Sequence, residues 1–106
     1  MRSLSGGCSA LAALVLAGCG GGGAAPKNAS PGLRVFDQAS CGSCHTLAAA
    51  KASGTAGPKL DGRSLDAATV ARFVREGGSG MPPFKDQLSD SEIQQVSNFV
   101  ARASEQ

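Results

Sequence analysis

This chain predicts an all-α fold of three to four short helices, and three observations carry that prediction. Apolar residues recur at helical spacing in three segments, each with a readable start. No stretch sustains the apolar–polar alternation of a half-buried strand. The chain has 106 residues, four Phe, no Trp and no Tyr, so its helices have little apolar bulk of their own. Domains below roughly 70–80 residues usually need a staple beyond their core. The helices are therefore expected to close around something large and apolar.

The chain divides into residues 1–18, 19–30 and 31–106. "MRSLSGGCSALAALVLAGC" opens with Arg2, continues into an apolar and small-residue run, and stops at "LAGC". The run is shorter than the ~20 apolar residues of a membrane span. It has the order of a secretory signal: charged start, short apolar stretch, small residues before the cut. "LAGC" resembles the bacterial lipoprotein processing motif, which implies a lipid-bearing Cys19 as the new N-terminus. An ordinary signal peptide cut nearby is the alternative. Either reading exports the chain to the cell envelope, outside the cytoplasm; the lipoprotein reading anchors it to a membrane there. Cys8 leaves with the signal.

"GGGGAAPKNASPG" comes next, a flexible tether in composition. About eleven such residues reach on the order of 18 Å as a random coil. The first helix is expected to start at Ser30, with Ser as cap and Pro31 at the first helical position. Leu33, Phe36 and Ala39 form its apolar stripe, with Val35 beside it. A second helix, Asp66 to Glu76, sets Val70, Phe73 and Val74 on one face, and Gly77 ends it. The third opens with "SDSE", where Ser89 and Glu92 have capping-box spacing, and continues through Ile93, Val96, Phe99, Val100 and Ala103. Loops are expected around Ala48 to Ser64 and Gly77 to Leu88.

"CGSCH", Cys41 to His45, gathers two of the four cysteines and the single histidine into five residues. Three chemistries use such a cluster. A structural zinc site wants four Cys or His ligands, and the mature chain could add only Cys19 to these three. A thiol redox pair is expected after a strand in an α/β pattern, which is missing here. A plain disulfide between Cys41 and Cys44 would close a very small loop for little entropic gain. The third is covalent attachment of haem, for which Cys-x-x-Cys-His is the signature. Two thiols add to two vinyl groups along one edge of the macrocycle, and the adjacent histidine lies under the iron.

A second half of that site is present. Met1 leaves with the signal, so Met81 is the one remaining thioether. It sits in "GGSGMPPF", a Gly- and Pro-rich loop between helices, whereas a core-filling Met belongs on a periodic helical face. A loop that holds a soft sulfur suits a sixth iron ligand.

The ordered set of features resembles the class I cytochromes c, in their small bacterial form, over Ser30 to about Ala103. "GLRVF" supplies Gly32 and Phe36 before the haem motif "CGSCH"; "GPKLDG" supplies Gly57 and Pro58; "GMP" supplies Met81. The resemblance implies one covalent haem c on Cys41 and Cys44, with His45 and Met81 on the iron. It implies that the Pro58 carbonyl holds the other ring nitrogen of His45. It also implies that the first and last helices cross, with Gly32 letting Phe99 approach beside Val96 and Phe36. The family often has a Trp or Tyr on a haem propionate; this chain has neither, and Arg63 or Lys59 are the substitutes at hand.

A closed His/Met iron favours outer-sphere electron transfer, and thioether ligation favours Fe(II). The expected function is a membrane-tethered monohaem carrier, not an enzyme. Its partners are the membrane, through Cys19, and a redox-protein donor and acceptor. A monomer is expected. The competing expectations are an enzyme or gas sensor with a labile Met81, and a haem-free thiol module. Nine Lys/Arg against eight Asp/Glu remain after residue 18, with no basic stripe, so nucleic-acid binding is not expected.

Overall fold

The computed structural model describes residues 29–106. The signal segment, Cys19 and the tether as far as residue 28 lie outside the described residues.

Helix α1 (Pro31–Gln38) begins as its sequence dictates: the Leu33 amide donates to Ser30 Oγ at 3.3 Å, and Pro31 takes a position where no amide is needed. Its buried side is Gly32, Val35 and Phe36, while Leu33 and Ala39 are only half-buried. Helix α2 is Ala67–Glu76; Asp66 is its cap, accepting the Thr69 amide at 3.1 Å, so the helix starts one residue later than expected. Gly77, at φ 71°, ends it. Helix α3 (Asp90–Ala103) has the full capping box: Glu92 N–H donates to Ser89 Oγ at 3.1 Å, and Ser89 N–H to Glu92 Oε1 at 3.0 Å.

Helix α3 packs on both α1 and α2. Where it meets α1, a Cβ on Gly32 would collide with Phe99 Cβ and with the Gln95 carbonyl, so only glycine admits this approach. The crossing is completed by Phe36 and Phe99, edge to face with centroids 5.9 Å apart. Val35, Phe36, Leu47, Val74, Leu88, Ile93, Val96 and Val100 form the buried core. Each such side chain contributes about 1.5–3 kcal/mol by leaving water. Ser104 joins α3 to the approach to α2: its Oγ accepts the Leu65 amide at 2.9 Å and donates to Ala101 O at 3.0 Å.

Two expectations are corrected. The segment after the cluster holds strands β1 (Thr46–Leu47) and β2 (Ala52–Ser53), antiparallel with Thr46 opposite Ser53. Strands of two residues cannot show periodicity, so sequence pattern misses them. Phe73, expected on the core face of α2, is 43% exposed, whereas Val74 is buried. Helix α2 turns Val74 toward the core, and the Arg72 guanidinium lies 5.4 Å from the Phe73 ring centroid.

Candidate haem site

Cys41–Ser43 forms one turn of 3-10 helix. The Cys44 and His45 amides both donate to Cys41 O, at 3.2 and 3.0 Å, so the two thiols and the imidazole share one tight turn. The turn is pressed against the end of β2 and Gly54. There Gly54 N–H donates to Gly42 O at 3.1 Å, and a Cβ on Gly54 would come within 2.6 Å of Cys44 N. The thiols differ. Cys41 packs against the core and Cys44 is exposed, and they do not form a disulfide. Burial pushes the Cys41 thiol up to about 11, reinforced by the charges of Asp37 and Cys44 and opposed by a backbone hydrogen bond. Its nucleophilic thiolate is therefore scarce at neutral pH.

His45 Nδ1 lies 2.7 Å from Pro58 O. A carbonyl only accepts, so Nδ1 carries the proton and Nε2 keeps its lone pair for a metal. Gly57 makes this approach feasible. Its amide donates to Cys44 O at 2.6 Å, and a Cβ there would sit 2.7 Å from His45 Cε1.

Met81 is presented by a separate loop. Gly78 and Met81 exchange backbone hydrogen bonds at 2.9 and 3.0 Å, and the side chain packs, partly buried, on the core that Cys41 also touches. Gly77, Gly78, Ser79 and Gly80 all have positive φ, at 71°, 138°, 53° and 93°, a path open mainly to glycine. Phe84 N–H donates to Val74 O at 2.8 Å, returning the loop to α2.

Cys41, Cys44, His45 and Pro58 are thus brought together, and Met81 packs against the same core as Cys41. Lys59, Arg63 and Lys85 are exposed. Sequence reasoning missed Asp61, whose Oδ1 accepts the Ala48 amide at 2.9 Å; nothing in a sequence pattern links those positions. Among the described residues no three His, Cys, Asp or Glu side chains gather around a point where a metal ion would be held. Two thiols on one turn, an imidazole with Nε2 free and a thioether fit haem c, whose macrocycle brings its own nitrogens.

Fold and site together define a c-type cytochrome that works in electron transfer. The chain belongs to the family described as cytochrome C oxidase, cbb3-type, subunit III, whose model matches residues 27–100. Membership of a cytochrome c family implies haem c. Among solved structures it resembles the c-type cytochrome SorU from Sinorhizobium meliloti, at 35% identity and a TM-score of 0.66, over 72% of this chain and 90% of that one. It is also 34% identical over 67 residues to the menaquinol:cytochrome c reductase cytochrome c subunit of Geobacillus thermodenitrificans. That match covers 63% of this chain and 26% of the relative, so the chain spans about a quarter of that protein.

Proposed function

We propose that the mature chain is a monohaem carrier of single electrons, tethered to a membrane through lipid on Cys19. One observation carries the site assignment: the 2.7 Å contact between His45 Nδ1 and Pro58 O, which leaves Nε2 as the metal-binding nitrogen. Cys41 and Cys44 would hold the haem c by thioethers, His45 and Met81 would ligate its iron, and Pro58 would fix the imidazole. Bound haem c supplies a one-electron Fe(III)/Fe(II) couple. The chain's own residues would give the iron two protein ligands, exclude water with the core on which Cys41 and Met81 pack, and favour the reduced state through a thioether. In this reading the chain passes electrons between partners and is not itself an enzyme.

The partners are a redox-protein donor and acceptor at the same membrane. A relative named as a subunit of a menaquinol:cytochrome c reductase supports a quinol-oxidising complex as one of them. Confinement of a tethered monomer to the envelope surface raises the effective concentration of such partners.

The absorbance spectrum of protein made with haem-attachment machinery tests the reading. Haem that survives acid-acetone extraction and an Fe–S charge-transfer band in the oxidised state are expected. Haem lost on extraction refutes the thioethers, and ready carbon monoxide binding to the reduced protein refutes a closed iron. Cys19→Ser is expected to move the protein out of the membrane fraction, or leave the uncut signal holding it, with haem ligation unaltered. Wild-type protein that is soluble with an unmodified N-terminus would show a freely diffusing carrier.

A further inference from the structure

Residues 57–61 run alongside residues 44–48, and four hydrogen bonds join them. Gly57 N–H donates to Cys44 O at 2.6 Å, and Leu60 N–H to Thr46 O at 2.9 Å. His45 Nδ1–H donates to Pro58 O at 2.7 Å. Ala48 N–H donates to Asp61 Oδ1 at 2.9 Å, the one bond of the four that depends on a carboxylate and the last before the chain turns at Gly62, φ 72°. On its other edge, β1 is paired with β2, and Thr46 Oγ1 donates to Gly54 O at 2.8 Å. The imidazole's support is therefore a short strip of chain held at both ends, by Gly57 upstream and Asp61 downstream.

Asp61 has two further properties. Ala48 opens the 3-10 turn Ala48–Ala50, and the residue before it, Leu47, has no side chain that can cap it. Asp61 does so from thirteen residues away. Its other oxygen, Oδ2, is shielded from solvent and takes no hydrogen bond from the described residues. A shielded oxygen without a partner costs stability.

We infer that Asp61 is a positioning residue for the haem ligand. By locking the downstream end of residues 57–61 onto Ala48, it fixes the Pro58 carbonyl and, through that carbonyl, the plane of the His45 imidazole. The inference rests on the proposed haem site and adds to it a residue that touches neither haem nor histidine.

The test uses the haem-loaded protein as wild type, Asp61→Ala and Asp61→Asn. Amide exchange reads the clamp, and the proton hyperfine shifts of the ferric haem methyls read the imidazole plane. In Asp61→Ala the Ala48 amide should exchange at least about tenfold faster, and the methyl shifts should redistribute. Asparagine keeps an acceptor oxygen, so Asp61→Asn should restore both readouts toward wild type. Should Asp61→Ala fail to accumulate, Asp61→Ser takes its place, with a hydroxyl too short to reach Ala48. Faster Ala48 exchange with unmoved methyl shifts would overturn the inference, leaving Asp61 a loop anchor only. So would an Asp61→Asn protein whose methyl shifts match those of Asp61→Ala. Both outcomes leave haem attached and the site reading intact. Wild-type protein without covalent haem would instead remove that reading, and this inference with it.

Discussion

The two sides of the proposed haem site, one built around His45 and the other around Met81, are held in different ways. The histidine side is clamped: residues 57–61 and β2 lie on either edge of His45 to Leu47, and the Pro58 carbonyl grips the ring itself. The methionine side is a loop of four consecutive positive-φ residues, closed by one reciprocal backbone pair between Gly78 and Met81 and returned to α2 by Phe84. One side gains rigidity from hydrogen bonds between segments distant in sequence. The other obtains its shape from glycine and from the helices that flank it. Electron transfer asks for little rearrangement at the iron, so the histidine side can supply a fixed reference while the methionine side depends on its packing. Local opening is expected to begin in regions with fewer internal bonds, which here means the methionine side.

The largest effect should fall on both sides at once, because both hang on the crossing of α1 and α3. Gly32→Leu would drive its side chain into Phe99 and the Gln95 backbone. Overpacking of this kind costs about 1–3 kcal/mol or more, and a clash with backbone as well as side chain puts it at the upper end, which for a domain of this size lowers Tm by about 10 °C. Thermal unfolding followed in the haem absorbance checks it. An unchanged Tm would show that the crossing can relax, and the comparison would lose its common frame.

Gly57→Ala acts on the histidine side alone. The added Cβ would meet His45 Cε1 at 2.7 Å and Nδ1 at 3.0 Å, so the ring or the strip behind it must move. A cost of about 1–3 kcal/mol is expected, together with altered haem-methyl hyperfine shifts. Wild-type shifts would mean that the clamp gives way easily, and the contrast between the sides would collapse.

Met81→Ala is the counterpart on the other side. Haem should remain attached, since Cys41, Cys44 and His45 are untouched. The charge-transfer band should vanish and the reduction potential should fall as water or another donor replaces the thioether. The stability loss should be smaller than for Gly57→Ala, because Met81 is only partly buried and its loop is shaped by backbone. A potential and spectrum that do not change would remove Met81 as a ligand, with Lys85 the next donor to examine.

The two sides also differ in how far the sequence discloses them. Ser30–Pro31 and the Ser89–Glu92 box announce their helix starts because caps act over three residues, and the start at Asp66 is legible to within one residue. The same locality makes "CGSCH" readable. Gly32 and Pro58 are readable only through likeness to a family, since the partners they meet lie far along the chain, Phe99 in one case and His45 in the other. Asp61 stands inside "GPKLDG", but neither its bond to Ala48 nor the pairing of β1 with β2 is readable, because each joins residues separated along the chain. Phe73 is misplaced because a stripe on a short helix tells which residues are neighbours, and not which of them turns toward the core. What acts locally is legible; what joins separated segments is not.

The smallest effect sharpens the comparison by pH. The loop carrying Met81 leaves through Ser89 into α3, so the capping box is the far anchor of the methionine side. Glu92 is held below its ordinary carboxylate value of 4.5, first by the hydrogen bond from the Ser89 amide and then by that of its side chain. A carboxyl depressed in the folded state stabilises it fully above the unfolded value, and that stabilisation fades as pH falls through the folded value. The anchor should therefore hold at neutral pH and weaken only below about pH 4.5. Glu92→Gln keeps a side-chain acceptor for the Ser89 amide but has no proton to gain. The difference in Tm between wild type and Glu92→Gln should shrink on acidification from about pH 7 to about pH 3.5, as wild type loses its advantage. The protection of the Gly78 and Met81 amides, taken relative to their intrinsic exchange at each pH, should fall over the same range in wild type more than that of Gly57 and Leu60. Equal falls on the two sides would mean that acid loosens the domain as a whole, and that the capping box does not anchor the methionine loop in particular.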